Sequence, residues 1–148
     1  MSFTYPPVGF HFLVAFELFP QLPNDFRFQE VTGLTVDVET ESLKEGGENR
    51  FVHQLPTRTK YHNLELKRGL FTGSGILLWC RNAIENFNFQ PTNLTITLLN
   101  EEHIPVAAWY VVNAYPVTWS VSDLNAMENK LVVESIKLQY NYFKILKV

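Results

Sequence analysis

Residues that could perform catalysis or bind a metal are few and widely separated in this 148-residue sequence. Its four histidines, His11, His53, His62 and His103, lack the paired spacing that holds a metal ion. Its one cysteine, Cys80, cannot form an internal disulfide, and nothing near it in sequence would activate a thiolate. The sequence therefore predicts no metal site and an inert thiol.

Two short motifs contain residue types that could bind an anion or perform acid-base chemistry. Gly73-Ser74-Gly75 could offer backbone donors to an anion, but it lacks the GK[ST] of a P-loop and the third glycine of a dinucleotide fold. A turn followed by a helix cap is the better interpretation. Glu101-Glu102-His103 could supply an acid, a base or a metal ligand, but its place between two strand-like stretches favours a solvated turn. The sequence therefore predicts no catalytic residue and no cofactor.

Aromatic residues near the helix-like segment could form a stacking platform for sugars or bases. Because no basic residue is interleaved with them, core and interface packing is favoured. The residues are Trp79, Trp109, Trp119, Phe87 and Phe89.

The composition is that of an ordinary globular domain. Hydrophobic residues make up 46% and charged residues 18% of the chain, which excludes a disordered or fibrous protein. Twelve basic against fifteen acidic residues give a net charge of -3, so the chain has no general attraction for nucleic acid or anionic lipid. The start MSFTYPPVGF lacks the features of a secretory signal, and no apolar run is long enough to cross a bilayer. We expect folding in a cytoplasm and no direct membrane insertion.

Strand periodicity dominates the chain. Residues 8–18 alternate and predict a strand that ends before Pro20 and Pro23, and FRFQEV begins another. The expected core face of the strand over residues 8–18 is Phe10, Phe12, Val14, Phe16 and Leu18. Residues 34–43 alternate again, with Leu34, Val36 and Val38 opposite an acidic row, Asp37, Glu39 and Glu41. Such a row must face solvent or a basic partner, because like charges repel.

A hairpin arm is predicted between these strands and the next. KEGGEN, residues 44–49, contains two adjacent glycines, and residues 50–54 can return as the second arm. An isolated two-stranded ribbon is marginal in water, so we expect the arm to rest on another molecule.

One helix is predicted, over residues 75–87, and Ser74 can cap it. Its expected inward face is Ile76, Cys80, Ala83, Ile84 and Phe87, and its expected outer face is Arg81, Asn82, Glu85 and Asn86. Further strands are predicted at residues 62–71, with Leu64, Leu66 and Leu70 alternating, and at 94–99, 106–113, 117–121 and 130–147. The pattern predicts one mainly β domain, residues 1–148, with a single helix.

The order of motifs resembles the tail-tube protein family of contractile phages, which also supplies inner tubes to extracellular contractile injection systems. The resemblance rests on FRFQEVTGLTVDVE, KEGGEN, LPTRTKYHNLELKRGLFTGSGILLW and AAWYVVNAYPVTWSVSDLNAMENKLVVESIKLQYNYF. It implies a small antiparallel β-barrel or sandwich with one flanking α-helix and an extended β-hairpin arm, assembled as hexameric rings that stack into a hollow tube. It implies that a sheath drives the tube through a target envelope and that the lumen carries a protein cargo or phage DNA. The Pro-rich start and the ending FKILKV depart from the pattern and leave a baseplate tube-initiator ring as an alternative.

The resemblance gives the surfaces expected roles. Lys44, Glu45, Gly46, Gly47, Glu48 and Asn49 are expected to contact the adjacent ring. Asp37, Glu39 and Glu41 are expected to face the lumen, with a plain monomer surface or a sheath-facing surface as alternatives. The outer helix face is expected to meet sheath or a neighbouring subunit. Expected partners are other copies of the chain, sheath subunits, baseplate and terminal cap proteins, and the cargo, in a phage tail or an injection particle that is released from the cell.

Two functions from other classes remain open. A monomeric ligand-binding β-barrel of the lipocalin type would have an apolar cavity and would need no polar arm. An enzyme would need titratable groups that converge from positions distant in sequence. We expect neither, and in particular no enzyme.

Overall fold

A computed structural model describes residues 11–18, 27–43, 53–70, 74–124, 127 and 132–147 of the chain. The described residues are mainly strand, with one helix. The strands are β1 His11–Phe16, β2 Arg27–Phe28, β3 Glu30–Thr32, β4 Val36–Leu43, β5 His53–Tyr61, β6 Leu64–Gly69, β7 Thr92–Leu99, β8 Pro105–Val121, β9 Val133–Gln139 and β10 Tyr142–Lys147. The helix α1 is Gly75–Asn86. The predicted mainly β fold with a flanking helix and a hairpin arm is confirmed.

The main sheet closes into an antiparallel barrel because the chain changes pairing partners at two places, between β2 and β3 and within β8. Its strands run in the order β2-β1-β7-β8-β9-β6-β3, and β2 and β3 are separated by Gln29 alone. The Gln29 N–H donates to the carbonyl of Lys67 at 2.9 Å. At this residue the chain stops pairing with β1 and starts pairing with β6. The first half of β8 pairs with β7 and β10, and its second half pairs with β9. Asn113, with φ 56°, lies between the halves.

The predicted break within β8 was wrong. Residues 106–113 and 117–121 were expected as separate strands. They form one continuous strand, since the left-handed residue and a register shift beside Pro116 bend the strand without ending it.

The described residues inside the barrel form an apolar cluster. Val14, Leu64, Leu66, Ile136 and Leu138 are fully buried, as the alternation of their strands predicts. Leu18 and Leu70 were expected on core faces, but they are exposed. Both lie one or two residues beyond a strand end, where the two-residue period no longer applies.

The helix begins where expected. The Ser74 hydroxyl accepts a hydrogen bond from the Leu77 N–H at 3.1 Å, so Ser74 is the N-cap. The inward face is narrower than predicted and is formed by Ile76, Trp79, Cys80 and Ala83.

Two helix residues were placed on the wrong face. Ile84 is 50% exposed and Phe87 is 81% exposed. Trp79 takes the place expected for them in the apolar stripe, and Phe87 is the C-cap, whose left-handed φ of 51° turns it off the stripe. The prediction that the tryptophans pack in the core is consistent with Trp79, whose ring lies 5.3 Å from that of Phe16.

A buried ion pair joins the helix to the barrel. Arg68 on β6 lies opposite Glu134 on β9, and its Nε donates to the Glu134 Oε2 at 3.0 Å. The same guanidinium donates from Nη2 to the Ser74 hydroxyl at 2.8 Å. Trp119 on β8 donates to the other carboxylate oxygen of Glu134 at 2.8 Å. The pair therefore connects three strands and the N-cap of α1.

The arm is the ribbon of β4 and β5, which leaves the barrel at a glycine. Gly33, between β3 and β4, has φ +93°, and a Cβ on it would overlap the carbonyl oxygen of Asn63, between β5 and β6. Tyr61, at the end of β5, packs edge-on against Phe143, with ring centroids 5.1 Å apart. The two chain segments thus cross in close contact where the arm meets the barrel.

We predict that Gly33→Ala destabilises the subunit. Alanine disfavours this φ, and its methyl group would overlap the Asn63 backbone, so we expect a loss of about 2 kcal/mol or more in the free energy of unfolding. Urea unfolding of unassembled subunits measures it. Thr35→Ala, at an exposed position two residues away, should change it by less than about 0.5 kcal/mol. Equal stability of the two variants would contradict the close crossing.

We predict that Arg68→Met costs about 3–5 kcal/mol of stability, because the Glu134 carboxylate stays buried without its cation. Arg68→Met combined with Glu134→Leu should be less destabilised than Arg68→Met alone. Urea unfolding compares the three proteins. The control is Arg58→Met, which removes an arginine from an exposed ion pair and should change stability little. A loss at Arg68 no larger than the loss at Arg58 would show that the buried pair does not hold the fold.

Candidate assembly surfaces

The arm carries its charges on one face, and β5 places a basic residue opposite two of the three acidic residues of β4. Asp37 lies opposite Lys60 and Glu39 lies opposite Arg58 in the antiparallel register. Arg58 forms an ion pair with Glu39, and His62 Nε2 lies 2.6 Å from the Asp37 Oδ2. The hydrogen bond from Arg58 lowers the pKa of the Glu39 carboxyl and raises the pKa of Arg58. The two strands thus present paired opposite charges.

This pairing changes the interpretation of the acidic row. We expected the row to need solvent or a basic partner, and the partner is the second strand of the same arm. The signal was present in sequence, because Arg58 and Lys60 alternate as Asp37 and Glu39 do. It was missed because the returning strand was expected to stop at residue 54, whereas β5 reaches Tyr61.

Pro56 explains that error. A proline within a strand favours a loop, but here it lies opposite Thr40 at a register shift in the ladder. Thr57, the extra residue, donates from its hydroxyl to the Glu39 carbonyl at 3.0 Å. The bulge therefore accommodates Pro56, and β5 continues beyond it to Tyr61.

The opposite face of the arm is uncharged and partly apolar. Gln54 joins the hydroxyl groups of Thr40 and Ser42 on this face, at 3.2 and 2.9 Å. Val36 and Val38 share the face, and Val38 is 58% exposed. The apolar side predicted for β4 exists, but no described part of the barrel covers it fully. The predicted inter-ring residues 44–49 lie outside the described residues.

The predicted outer helix face is exposed and paired within itself. Arg81 Nη2 lies 3.3 Å from the Glu85 Oε2, and the Asn86 amide donates to the Asn82 side-chain oxygen at 3.2 Å. Asn82 is half-buried and the other three residues are exposed. Leu78, with Ile84, adds exposed apolar area beside this polar row.

Few reactive groups converge among the described residues. His11 Nε2 lies 3.2 Å from His103 Nδ1, so two histidines distant in sequence meet at one end of the barrel. Burial, with smaller effects from His103 and Arg27, lowers the pKa of His11. In the described part of the chain, no group of three His, Cys, Asp or Glu residues could hold a metal ion.

The cysteine lies in the core. Cys80 is buried, and burial raises the pKa of its thiol to about 12, with a further contribution from the Glu134 carboxylate. A thiol with this pKa is almost entirely protonated at neutral pH, as an inert cysteine is. Within the described residues, no helix is both long and apolar enough to cross a membrane.

Comparisons with known proteins identify the family to which the chain belongs. The family model for T4-like virus tail tube protein gp19 matches residues 8–144. A chain in the anti-feeding prophage baseplate, whose structure is six-fold symmetrised, is 31% identical, with a TM-score of 0.79 over 100% of this chain and 99% of that chain. Curated proteins provide no match.

Two further solved structures share the fold. A chain of the sheath-tube complex of the extracellular contractile injection system PVC is 24% identical, with a TM-score of 0.74, and covers 99% of this chain and 95% of that one. Hcp1 from Flavobacterium johnsoniae is 10% identical, with a TM-score of 0.54 over 95% of this chain and 97% of that chain. Because the family match covers most of the chain, the protein belongs to the T4-like virus tail tube protein gp19 family and is a structural tube subunit.

Proposed function

We propose that this chain forms hexameric rings that stack into the hollow inner tube of a contractile injection particle or phage tail. A surrounding sheath drives the tube through a target envelope, and the lumen conducts a protein cargo or phage DNA. The observation that carries the proposal is the arm, an exposed two-stranded ribbon with both edges open among the described strands, on a chain of this family. Such a ribbon is marginal alone and gains stability from a neighbour.

The six-fold symmetry of the related baseplate structure supports six copies in a ring. A contact between two different surfaces of the same chain closes a ring when its rotation is a fraction of a full turn. Stacked rings bring the tip of each arm, residues 44–49, to the adjacent ring. The match along the whole chain supports one tail-tube domain over residues 1–148.

A second candidate is the tube-initiator ring of the baseplate. The 31% identical chain is part of a baseplate structure, whereas the matches in sheath-tube and tube-cap structures are 24% and 23% identical. This difference favours a ring on which the remaining tube is built. The geometry required of the subunit is the same for both candidates.

The remaining surfaces receive roles from this geometry. The acidic row Asp37, Glu39 and Glu41 faces the lumen, where Arg58 and Lys60 on β5 offset part of its charge. The outer helix face, Arg81, Asn82, Glu85 and Asn86, meets sheath or a neighbouring subunit. Baseplate and terminal cap proteins contact the two ends of the tube.

The same proposal assigns no enzymatic activity to the chain, because its work is mechanical. The subunits are made in a bacterial cytoplasm, where they meet sheath and baseplate proteins. They leave the cell as part of the assembled particle. No subunit inserts into a membrane by itself.

We predict that the purified protein assembles into rings with a central hole, and into tubes at higher concentration. Negative-stain electron microscopy and size-exclusion mass measure this directly. A ligand-binding barrel of the alternative class would stay monomeric under the same conditions. A monomer at every concentration, in the presence of sheath and baseplate proteins as well, would contradict the proposed function.

We predict that cysteines at positions 37, 39 and 41 are shielded from a bulky thiol reagent in long tubes and react in dissociated subunits. Wild-type protein serves as the blank, because Cys80 is buried. Glu101→Cys, in the exposed turn between β7 and β8, should react in both states and is the matched control. Rapid reaction of the three arm cysteines in assembled tubes would place the row outside the lumen.

A further inference from the structure

The ribbon of β4 and β5 and the strand β10 have open edges among the described strands, and all three strands carry charged side chains. In the ribbon, β4 pairs with β5 alone, so its outer edge has unpaired N–H and C=O groups among the described strands. In the barrel, β10 pairs with β8 alone, so its outer edge is open in the same sense. Open edges are templates for pairing with another chain.

A bulge in β10 places two lysines on one face. Lys144 and Lys147 are three residues apart, a spacing that would point them to opposite faces of a regular strand. The register shifts between Ile145 and Lys147, so Lys144 lies opposite Tyr110 and Lys147 lies opposite Ala108. Tyr110 and Ala108 are two residues apart on β8, so both lysines share one face, about 7 Å apart.

The acidic row of β4 has the same spacing. Asp37, Glu39 and Glu41 follow one another at intervals of two residues, again about 7 Å. Two lysines can therefore lie opposite two consecutive carboxylates when the open edges of β4 and β10 pair. The basic pair on β5, Arg58 and Lys60, would instead repel β10, so charge selects one edge of the ribbon.

Both lysines are free to make this contact. The Lys144 Nζ lies 5.9 Å from the centroid of the Tyr142 ring, and the Lys147 Nζ donates to the Pro105 carbonyl at 3.1 Å. Both side chains are exposed, and neither contact involves a carboxylate. Their positive charge is not neutralised by these contacts.

We propose that the open edge of β4 in one copy pairs with the open edge of β10 in the neighbouring copy around the ring, with Asp37, Glu39 and Glu41 facing Lys144 and Lys147. This seam rests on the proposed function, because it needs a ring of identical chains. It joins two different surfaces, as a closed ring requires. It also covers the outer edges of β4 and β10, which have no partner among the described strands.

Two charge-reversed variants test the seam. The first is Lys144→Glu with Lys147→Glu. The second is Asp37→Lys, Glu39→Lys and Glu41→Lys, with Arg58→Glu added so that position 39 keeps an oppositely charged partner. Lys137→Glu, an exposed lysine on the interior strand β9, is the matched control. Circular dichroism melting shows that each subunit is folded, and electron microscopy with size-exclusion mass measures assembly.

Each variant alone should need a subunit concentration roughly tenfold or more above that of wild type to assemble, because like charges then meet at every seam. An equimolar mixture of the two should assemble as wild type does, since rings of alternating subunits restore opposite charges at every seam. The Lys137→Glu control should assemble normally.

The failure of the seam differs from the failure of the proposed function. If wild type itself forms no ring, the proposed function is wrong. If wild type forms rings, the seam is overturned by normal assembly of either variant alone, by failure of the folded mixture, or by a comparable loss in the Lys137→Glu control.

Discussion

The Arg68–Glu134 pair is the interaction that fixes the position of the helix on the barrel. Each charge is buried and therefore needs a partner within the protein. The pair and its hydrogen-bond partners come from β6, β8, β9 and the N-cap of α1. Arg68 reaches back to the N-cap Ser74, and Glu134 holds Trp119 on β8. The direction in which α1 leaves the barrel is therefore set by hydrogen bonds whose loss would leave an unpaired charge in the core. Apolar packing of Ile76 and Trp79 then follows from where the helix starts.

The barrel obtained in this way is closed, whereas the arm is open. Among the described strands, closure leaves open the outer edges of β10 and of the ribbon β4–β5. Open edges invite uncontrolled association, and proteins limit this with charges and bulges. Here β10 has two lysines and a bulge, and β4 has three carboxylates. The same features that discourage random pairing allow one pairing in which opposite charges meet.

Much of the fold was predictable from sequence, because alternating residues and a capped helix are local patterns. Leu64, Leu66, Ile136 and Leu138 were readable in this way. The buried pair was not recognised, although Arg68 continues the period of Leu64 and Leu66, and Glu134 that of Ile136 and Leu138. Burial of a charge depends on a partner distant in sequence. The charge pairing of the arm was missed for a related reason. A proline favours a loop, so Pro56 gave no indication that the strand continues and brings Arg58 opposite Glu39.

The distribution of charge also bears on how copies of a tube subunit can attract one another in a defined orientation. A net charge of -3 spread over the surface would give weak repulsion between copies and no preferred contact. Concentrating carboxylates on β4 and lysines on β10 gives each copy two unlike edges, so attraction depends on orientation. An apolar seam of similar size would hold copies together in many registers, because hydrophobic contact is not directional. Opposite charges repeated at about 7 Å favour a small number of registers, and a tube whose rings must all be alike needs that restriction.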